Sequence, residues 1–469
     1  MYYTLNEDYA FRGWNKLPYA LRVVKGDRKR KSPLFFGKED FITLLSCNGE
    51  ENVELDALSN HQRQLLSKLE KRGILKSSQS PMEPLKAYQR YHIYPSVYWE
   101  TIHWSITGKC NYNCRHCLLS APTSCHPQLS FSDCLRIVDE IAECGVDCIS
   151  ITGGEPLVRS DFIKLVKAIS EHGIRISTIF TNGSLLDERV LDELRENGQF
   201  PCFQLSYDGV GHHDWLRNIT GAEEDLKRTI ELLYSRGIPY ICTMCIHKEN
   251  ASSLAETVRY LKTRGCAALR VSTPQELGIL KEYSEQYALS MEEAWEIYRA
   301  YIPIFFKEKM PLNIDLDGFF SCDAGSVEYK VDYVNPDTEK TDFFKIPCCK
   351  EIKQSAYIDA EGRLLPCMGF ADSPLADKFA NLLSEDWRKA SWDSLYSKVA
   401  DTTIQQMVDA NPQCRDCEYL RQCIGGCMAA GITPDGSWLH FDPQRCWFYM
   451  NVGEQAVRDA ADAAIAQYV

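Results

Sequence analysis

The chain has 469 residues, 45% of them apolar and 25% charged, with a formal net charge of −13. This composition describes a folded, soluble protein long enough for two or three domains, and it argues against disorder and against general nucleic-acid binding. No run of about 18 apolar residues occurs, and the start, MYYTLNEDYAFRGW, has neither a basic nor an apolar export region, so a cytoplasmic protein without a membrane span is expected.

Residues 1–85 open with strand-like stretches at Tyr2–Trp14, Tyr19–Val24 and Ser32–Phe36. Helical periodicity follows at Glu39–Leu45 and His61–Lys71, which together predict a small winged-helix-like domain. The first 80 residues carry 14 Lys and Arg against 10 Asp and Glu, so the remainder stands at −17. The basic run Arg28-Lys29-Arg30-Lys31 falls where a hairpin turn is expected and reads as a solvated turn able to steer an acidic peptide. Residues 86–100, rich in Tyr, Pro and Ser, read as a linker.

From 101 to 310 strand and helix alternate. Strands are predicted at Ile102–Thr107, Cys148–Thr152, Arg175–Phe180, Cys202–Tyr207, Tyr240–Ile246 and Ala268–Ser272. Amphipathic helices over Asp161–Ser170, Glu188–Glu196, Leu226–Ser235 and Leu254–Lys262 lie between them, stopped by Gly173, Gly198, Gly237 and Gly265. Six βα units in series predict an α/β fold, a partial (β/α)6 TIM-like barrel with its ligand at the strand C-terminal ends. Residues 311–469 form a Cys-rich region of short strands and loops, closing on an amphipathic helix near Trp447–Ile465.

The 21 cysteines carry most of the functional signal, because clustered thiols in a reducing compartment are better metal ligands than disulfides. Cys110-x3-Cys114-x2-Cys117 follows the first barrel strand, and three thiolates hold three irons of a cubane while leaving the fourth open. The spacing alone also fits a zinc loop completed by His116. Strand 2 ends Thr152-Gly153-Gly154-Glu155-Pro156, where missing Cβ atoms permit close backbone approach. Strand 3 ends Thr181-Asn182-Gly183, strand 4 runs Leu205-Ser206-Tyr207-Asp208-Gly209, and His213-Asp214-Trp215-Leu216-Arg217 follows.

Together these motifs resemble the radical S-adenosylmethionine (SAM) superfamily, with its CxxxCxxC and GGEP signatures. The resemblance implies an enzyme whose cluster cysteines are Cys110, Cys114 and Cys117. It assigns SAM binding to Gly153, Gly154, Glu155, Asn182, Ser206, Asp208 and Arg217, the last as a bidentate carboxylate partner. Arg270, Thr273 and Glu276 read as structural. The open iron would chelate SAM and deliver one electron, yielding methionine and a 5′-deoxyadenosyl radical able to abstract an unactivated hydrogen.

Further along, Cys349-x12-Gly362-x4-Cys367, Cys414-x2-Cys417-x5-Cys423-x3-Cys427 and Cys446 resemble the SPASM domain of peptide-modifying radical SAM enzymes. A rubredoxin-like or zinc module would account for Cys414, Cys417, Cys423 and Cys427 alone. The resemblance implies two auxiliary 4Fe-4S clusters, three in all. Cys414, Cys417, Cys423 and Cys446 would hold one, and Cys349, Cys367 and Cys427 the other, its fourth ligand being Cys322, Cys348 or none. Cys47, Cys125, Cys134, Cys144, Cys148, Cys202, Cys242, Cys245 and Cys266 read as buried apolar residues.

The N-terminal domain resembles the leader-recognition domains of ribosomal peptide (RiPP) maturases, in which an extended leader adds a strand to a sheet edge. The implied function is a peptide maturase that crosslinks a precursor through a Cys thioether or a carbon–carbon bond. Its partners would be a leader-bearing precursor peptide and an electron donor such as flavodoxin or ferredoxin. Two alternatives stand beside it: a sulfatase-maturating or other peptide-oxidising or epimerising relative, and a non-catalytic iron-sulfur electron-transfer or regulatory protein.

Overall fold

A computed structural model of the chain describes residues 1–24, 32–117, 127–273, 287–331, 342–384, 387 and 395–469. The basic run 28–31, Cys125 and Glu276 lie outside the described residues. The chain divides into two compact units, Met1–Glu100 with Glu140–Val146, and Thr101–Asp139 with Asp147–Val469.

The first unit contains β1 (Tyr2–Leu5), β2 (Tyr9–Trp14), β3 (Leu17–Val23), β4 (Leu34–Phe35), β5 (Asn48–Asn52), β6 (Leu75–Ser78) and β7 (His92–Ile93). They form a three-stranded sheet ordered β5-β1-β6 and a four-stranded sheet ordered β4-β3-β2-β7. The stretch expected as one strand over Tyr2–Trp14 is two strands, and the expected linker contributes β7, which pairs parallel with β2 at Arg12↔His92. Helices α1 (Lys38–Leu45) and α2 (Asn60–Lys71) complete the unit. Ser59 starts α2 in a capping box with Gln62, and only Leu66 and Leu69 of α2 are buried, so one narrow stripe docks the helix. Phe11, Leu21, Phe41, Leu44, Leu66 and Leu69 share one core. Phe41 sits at its centre, edge-on to Phe11 at 5.5 Å and within 5.3 Å of the Tyr19 ring and 5.1 Å of Tyr91. Trp14 Nε1 and Ser96 Oγ both donate to Cys144 O at 3.0 Å, which ties Glu140–Val146 into this unit.

The second unit is built on one eleven-stranded sheet. Seven strands in chain order are parallel: β8 (Thr101–Ser105), β9 (Cys148–Thr152), β10 (Arg175–Thr181), β11 (Cys202–Ser206), β12 (Tyr240–Cys245), β13 (Ala268–Ser272) and β14 (Asn313–Leu316). The antiparallel β15 (Phe320–Cys322) and β16 (Tyr329–Lys330) extend one edge. At the other edge, β17 (Ser355–Ile358) pairs parallel with β8 and antiparallel with β18 (Leu364–Leu365), so the Cys-rich region shares the barrel's sheet.

Between the strands lie α3 (Phe131–Glu143), α4 (Phe162–Glu171), α5 (Glu188–Glu196), α6 (His213–Arg217), α7 (Ala222–Ser235) and α8 (Leu254–Thr263). Along β11 and β12 fully buried positions (Phe203, Leu205, Cys242, Met244) alternate with half-buried ones (Gln204, Ser206, Thr243, Cys245). The two-residue period puts these sets on opposite faces, and the half-buried set is the one that lines cavities. The expected C-terminal helix is two helices, Pro443–Asn451 and Gly453–Tyr468, broken where Gly453 takes φ 72°. Among the described residues no helix is long and apolar enough to cross a membrane.

Phe41→Ala should cost about 3–5 kcal/mol because the surrounding rings cannot close the cavity. Urea unfolding of the full chain should show it, while Ile42→Ala, at a side chain 54% exposed, stays within about 0.5 kcal/mol of wild type.

Candidate functional site

The ends of β8 and β9 continue past their ladder in a close backbone approach. Gly154 N donates to Thr107 O and Glu155 N to Lys109 O, each at 2.9 Å. A Cβ on Gly154 would lie 2.3 Å from Lys109 O, and one on Gly153 2.5 Å from Thr107 O. The two glycines are therefore what lets the segment leading into Cys110 lie against strand β9.

The loop Cys110–Cys117 is then fastened on two sides. Asn111 donates to Ser184 Oγ and accepts from Asn182 Nδ2, both at 2.9 Å. Arg115 donates its backbone N–H to Leu216 O at 2.9 Å and its Nε–H to Trp215 O at 3.0 Å, with the guanidinium 5.0 Å from the Trp215 ring centroid. Arg217 Nη1 donates to Cys114 Sγ at 3.7 Å. Burial, and then the neighbouring thiols among other groups, raise Cys110 to about 12 and raise Cys114 as well. Three thiols near enough to interact on one loop, with Cys110 and Cys114 costly to hold as lone thiolates, suit a metal group that releases protons on binding. Among the described residues no group of three His, Cys, Asp or Glu converges in a way that could hold a single metal ion.

Cys110, Cys114 and Cys117 line a cavity of about 420 Å³ at the C-terminal ends of the parallel strands, a size ordinary for a small-molecule site. Gly153, Gly154, Asn182, Ser206 and Arg217 lie in its wall. Glu155 and Asp208 do not. Glu155 is fully buried and accepts from Thr181 Oγ1 (2.8 Å), Asn182 N (2.8 Å) and Leu157 N (3.1 Å). Burial raises it to about 7 against the pull of those three donors. Asp208 accepts from Arg217 Nε at 2.7 Å and from Cys245 N at 3.1 Å. Burial pushes its carboxyl up, but Arg217 and His213 hold it well below the usual range. Both carboxylates therefore act on the cavity through the residues they fix.

Several cavity residues escape motif reading. Thr243, Cys245, Ser272 and Thr273 sit at or just beyond the ends of β12 and β13, Asp317 follows β14, and Tyr357 comes from β17. Cys245, read from sequence as core, is on the cavity face, whereas Cys242 is buried on the other. Asp317 takes φ 54°, accepts from Thr273 N and Oγ1 at 2.9 and 2.6 Å, and is raised by burial. His116, raised as a zinc ligand in the bare spacing, is half-buried in the cavity wall with its Nδ1 covered, and is lowered to about 3 first by desolvation and then by Arg217.

The C-terminal cysteines fall into two neighbourhoods. Cys414, Cys417, Cys423 and Cys446 line one pocket with Tyr419, Leu420, Phe441 and Tyr449. Cys367 is pushed up to about 12 by burial and then by Cys427 and Cys349. Cys348 is raised to about 12 by burial and by the adjacent Cys349. Cys322 stands elsewhere in its bonding: its thiol contacts Asp323 O, Ser326 O and Glu328 O at 3.7, 3.3 and 3.6 Å. No disulfide joins any of the described cysteines. Cys367 and Cys427 line a second, larger cavity of about 1030 Å³ that shares Thr273, Met368 and Gln444 with the first.

Residues 104–261 match the model of the radical SAM superfamily. The chain is an enzyme of that superfamily, which implies SAM and a 4Fe-4S cluster as cofactors. It is 25% identical over 346 residues to the AdoMet-dependent heme synthase of Oleidesulfovibrio alaskensis, covering 73% of this chain and 86% of the relative. It is also 25% identical over 357 residues to the PqqA peptide cyclase of Gluconobacter oxydans, covering 72% and 88%. In fold it resembles Streptococcus suis SuiB, solved bound to the precursor peptide SuiA, with a TM-score of 0.64 at 17% identity over 95% of this chain and 99% of that one. Within its superfamily the chain thus resembles the RiPP maturases.

Two outcomes are expected at this site. Gly154→Ala should push the backbone at Lys109 aside, cost about 1–3 kcal/mol, and lower the iron retained after anaerobic reconstitution. Glu155, whose folded pKa is raised, favours folding below pH 4.5 and loses that contribution as pH rises to about 7. In SAM-free protein, stability should therefore fall across this window by on the order of 3 kcal/mol, and Glu155→Gln should flatten that slope in denaturant titrations.

Proposed function

We propose that the chain is a peptide maturase that crosslinks a ribosomally made precursor, joining a cysteine sulfur to a carbon. In this reading residues 1–85 recognise the leader, the expected linker 86–100 lends β7 to their sheet, 101–310 are the radical SAM barrel with β14 added to its sheet, and the rest of 311–469 is a SPASM domain. The observation that carries it is the pair of adjoining cavities. One holds the Cys110–Cys117 loop, the other exposes Cys367 and Cys427, and Thr273, Met368 and Gln444 border both. A chain segment reaching the first past the second would pass the C-terminal thiols on its way. The SuiB likeness extends over the N-terminal unit as well, which supports a precursor peptide as substrate.

Cys110, Cys114 and Cys117 would hold the SAM cluster. Cys414, Cys417, Cys423 and Cys446 would hold one auxiliary cluster, and Cys349, Cys367 and Cys427 the other. The three backbone contacts of the Cys322 thiol favour a second auxiliary site that draws on Cys348 or stays open to a substrate thiolate. When bound, SAM and its cluster supply a 5′-deoxyadenosyl radical that removes one hydrogen atom from carbon. The protein's part is placement. Gly153 and Gly154 present backbone to the cavity, and Glu155 fixes Thr181 and Asn182. Closing a thioether removes two hydrogens from the peptide: one would leave carbon as an atom taken by the 5′-deoxyadenosyl radical, the other would leave sulfur as a proton, and the remaining electron would pass to an oxidised iron-sulfur cluster of the chain.

A second reading follows from the heme synthase relative, which would place a tetrapyrrole in the larger cavity. One experiment separates the two. The anaerobically reconstituted full chain is given dithionite, SAM and a short peptide, encoded beside it, with an acidic leader and a cysteine-containing core. The expected result is 5′-deoxyadenosine with a peptide lighter by two hydrogens, both abolished in Cys114→Ala. 5′-Deoxyadenosine with an unchanged peptide mass sinks the crosslink, and an unchanged mass in water that becomes a gain of deuterium in heavy water would indicate epimerisation. No 5′-deoxyadenosine would sink the cluster assignment.

A further inference from the structure

Arg217 is placed by two constraints that converge on one sulfur. It is the last residue of α6, which stops at Asn218 in the left-handed conformation (φ 55°). Its Nε–H donates to Asp208 Oδ2 at 2.7 Å and its Nη1–H reaches Cys114 Sγ at 3.7 Å. Asp208 is itself immobilised. Its other oxygen accepts from Cys245 N, its backbone carbonyl accepts from Asn250 Nδ2 at 2.8 Å, and its backbone N–H donates to His213 Nδ1 at 3.2 Å. His213 Nδ1 also lies 3.1 Å from Asp208 Oδ2, the oxygen that takes the charge-assisted bond from the Arg217 guanidinium. The same end of α6 grips the cysteine loop a second time, through the two Arg115 bonds to Trp215 O and Leu216 O. The guanidinium therefore cannot swing away from Cys114 without breaking a buried ion pair, both of whose partners are under a tenth exposed.

We infer that Arg217, anchored by Asp208, is a positioning residue that sets the reduction potential of the cluster on Cys110, Cys114 and Cys117. The inference rests on the cluster assignment proposed above. Hydrogen bonds to the sulfurs of an iron-sulfur cluster, its burial and its net charge set its potential. Reduction adds one negative charge to the cluster, and a fixed positive N–H donor at a ligand sulfur favours the form that carries it. Arg217 therefore raises the potential, which makes the cluster easier to reduce by a donor of ordinary strength. This differs from holding the SAM carboxylate, the role the motif resemblance gives it.

The test uses full-length chain reconstituted anaerobically as wild type, as Arg217→Lys, and as Asp208→Asn combined with Arg217→Gln, which leaves no lone buried charge. Each is titrated with dithionite at controlled potential with SAM present, following the component of the electron paramagnetic resonance signal that changes when SAM is added. The double variant should need a lower potential, its ratio of reduced to oxidised cluster at a fixed potential falling about tenfold, or 59 mV for a one-electron couple. Arg217→Lys should shift the same way, since an ammonium cannot bond Asp208 and Cys114 with one rigid fork; it carries the test if the double variant does not retain iron. A wild-type midpoint in a variant with full iron overturns the inference. So does loss of the SAM-dependent component at full iron, which would return Arg217 to the SAM carboxylate. Failure of wild type itself to show that component or to form 5′-deoxyadenosine would sink the underlying cluster assignment, a separate result.

Discussion

Everything at the barrel mouth depends on how closely two backbones approach where β8 and β9 end. The bonds from Gly154 N to Thr107 O and from Glu155 N to Lys109 O are possible only because neither Gly153 nor Gly154 carries a Cβ. That approach decides where Cys110 leaves the sheet, and so where the loop to Cys117 hangs over the cavity. A side chain at either position would push the loop off the strand end, and the later fastenings by Asn111 and Arg115 would no longer meet their partners.

The charges beneath the loop follow from the same geometry. A buried carboxylate is costly unless its oxygens are used: Glu155 spends its own on two backbone N–H groups and the Thr181 hydroxyl, and Asp208 on Cys245 N, Arg217 and His213. Glu155 thereby ties β9 to the end of β10, and Asp208 ties the end of β11 to β12 and α6. Adjacent strand ends are locked by polar bonds that the apolar face could not provide. The cost is stored in groups with displaced proton affinities, a pattern common at functional sites.

The Cys-rich region completes the chamber. β17 adds to the barrel sheet beside β8 and brings Tyr357 to the cavity, while Met368 and Gln444 stand where the two cavities meet. A region rich in loops and thiols is thus held by a main-chain ladder of parallel bonds, which explains how short elements with small cores keep fixed positions.

Much of this was legible in the chain itself. Local periodicity placed β9 and β13 to the residue and the other four expected barrel strands within two, because a buried parallel strand and an amphipathic helix each write their period into a few consecutive residues, while the seventh parallel strand, β14, was not expected. Cys110, Gly153, Gly154, Asn182, Ser206 and Arg217 could be named because their stretches resemble radical SAM motifs at the strand C-terminal ends, and these residues do share one cavity. What the sequence could not decide was direction and distance. That Asp208 turns inward to Arg217, that Cys245 faces the cavity while Cys242 does not, and that Cys322 bonds to its own turn depend on register and twist across the sheet. Tyr357, Met368 and Gln444 lie more than 200 residues from the motif they face, and only the folding of β17 onto β8 and the packing it sets bring them there.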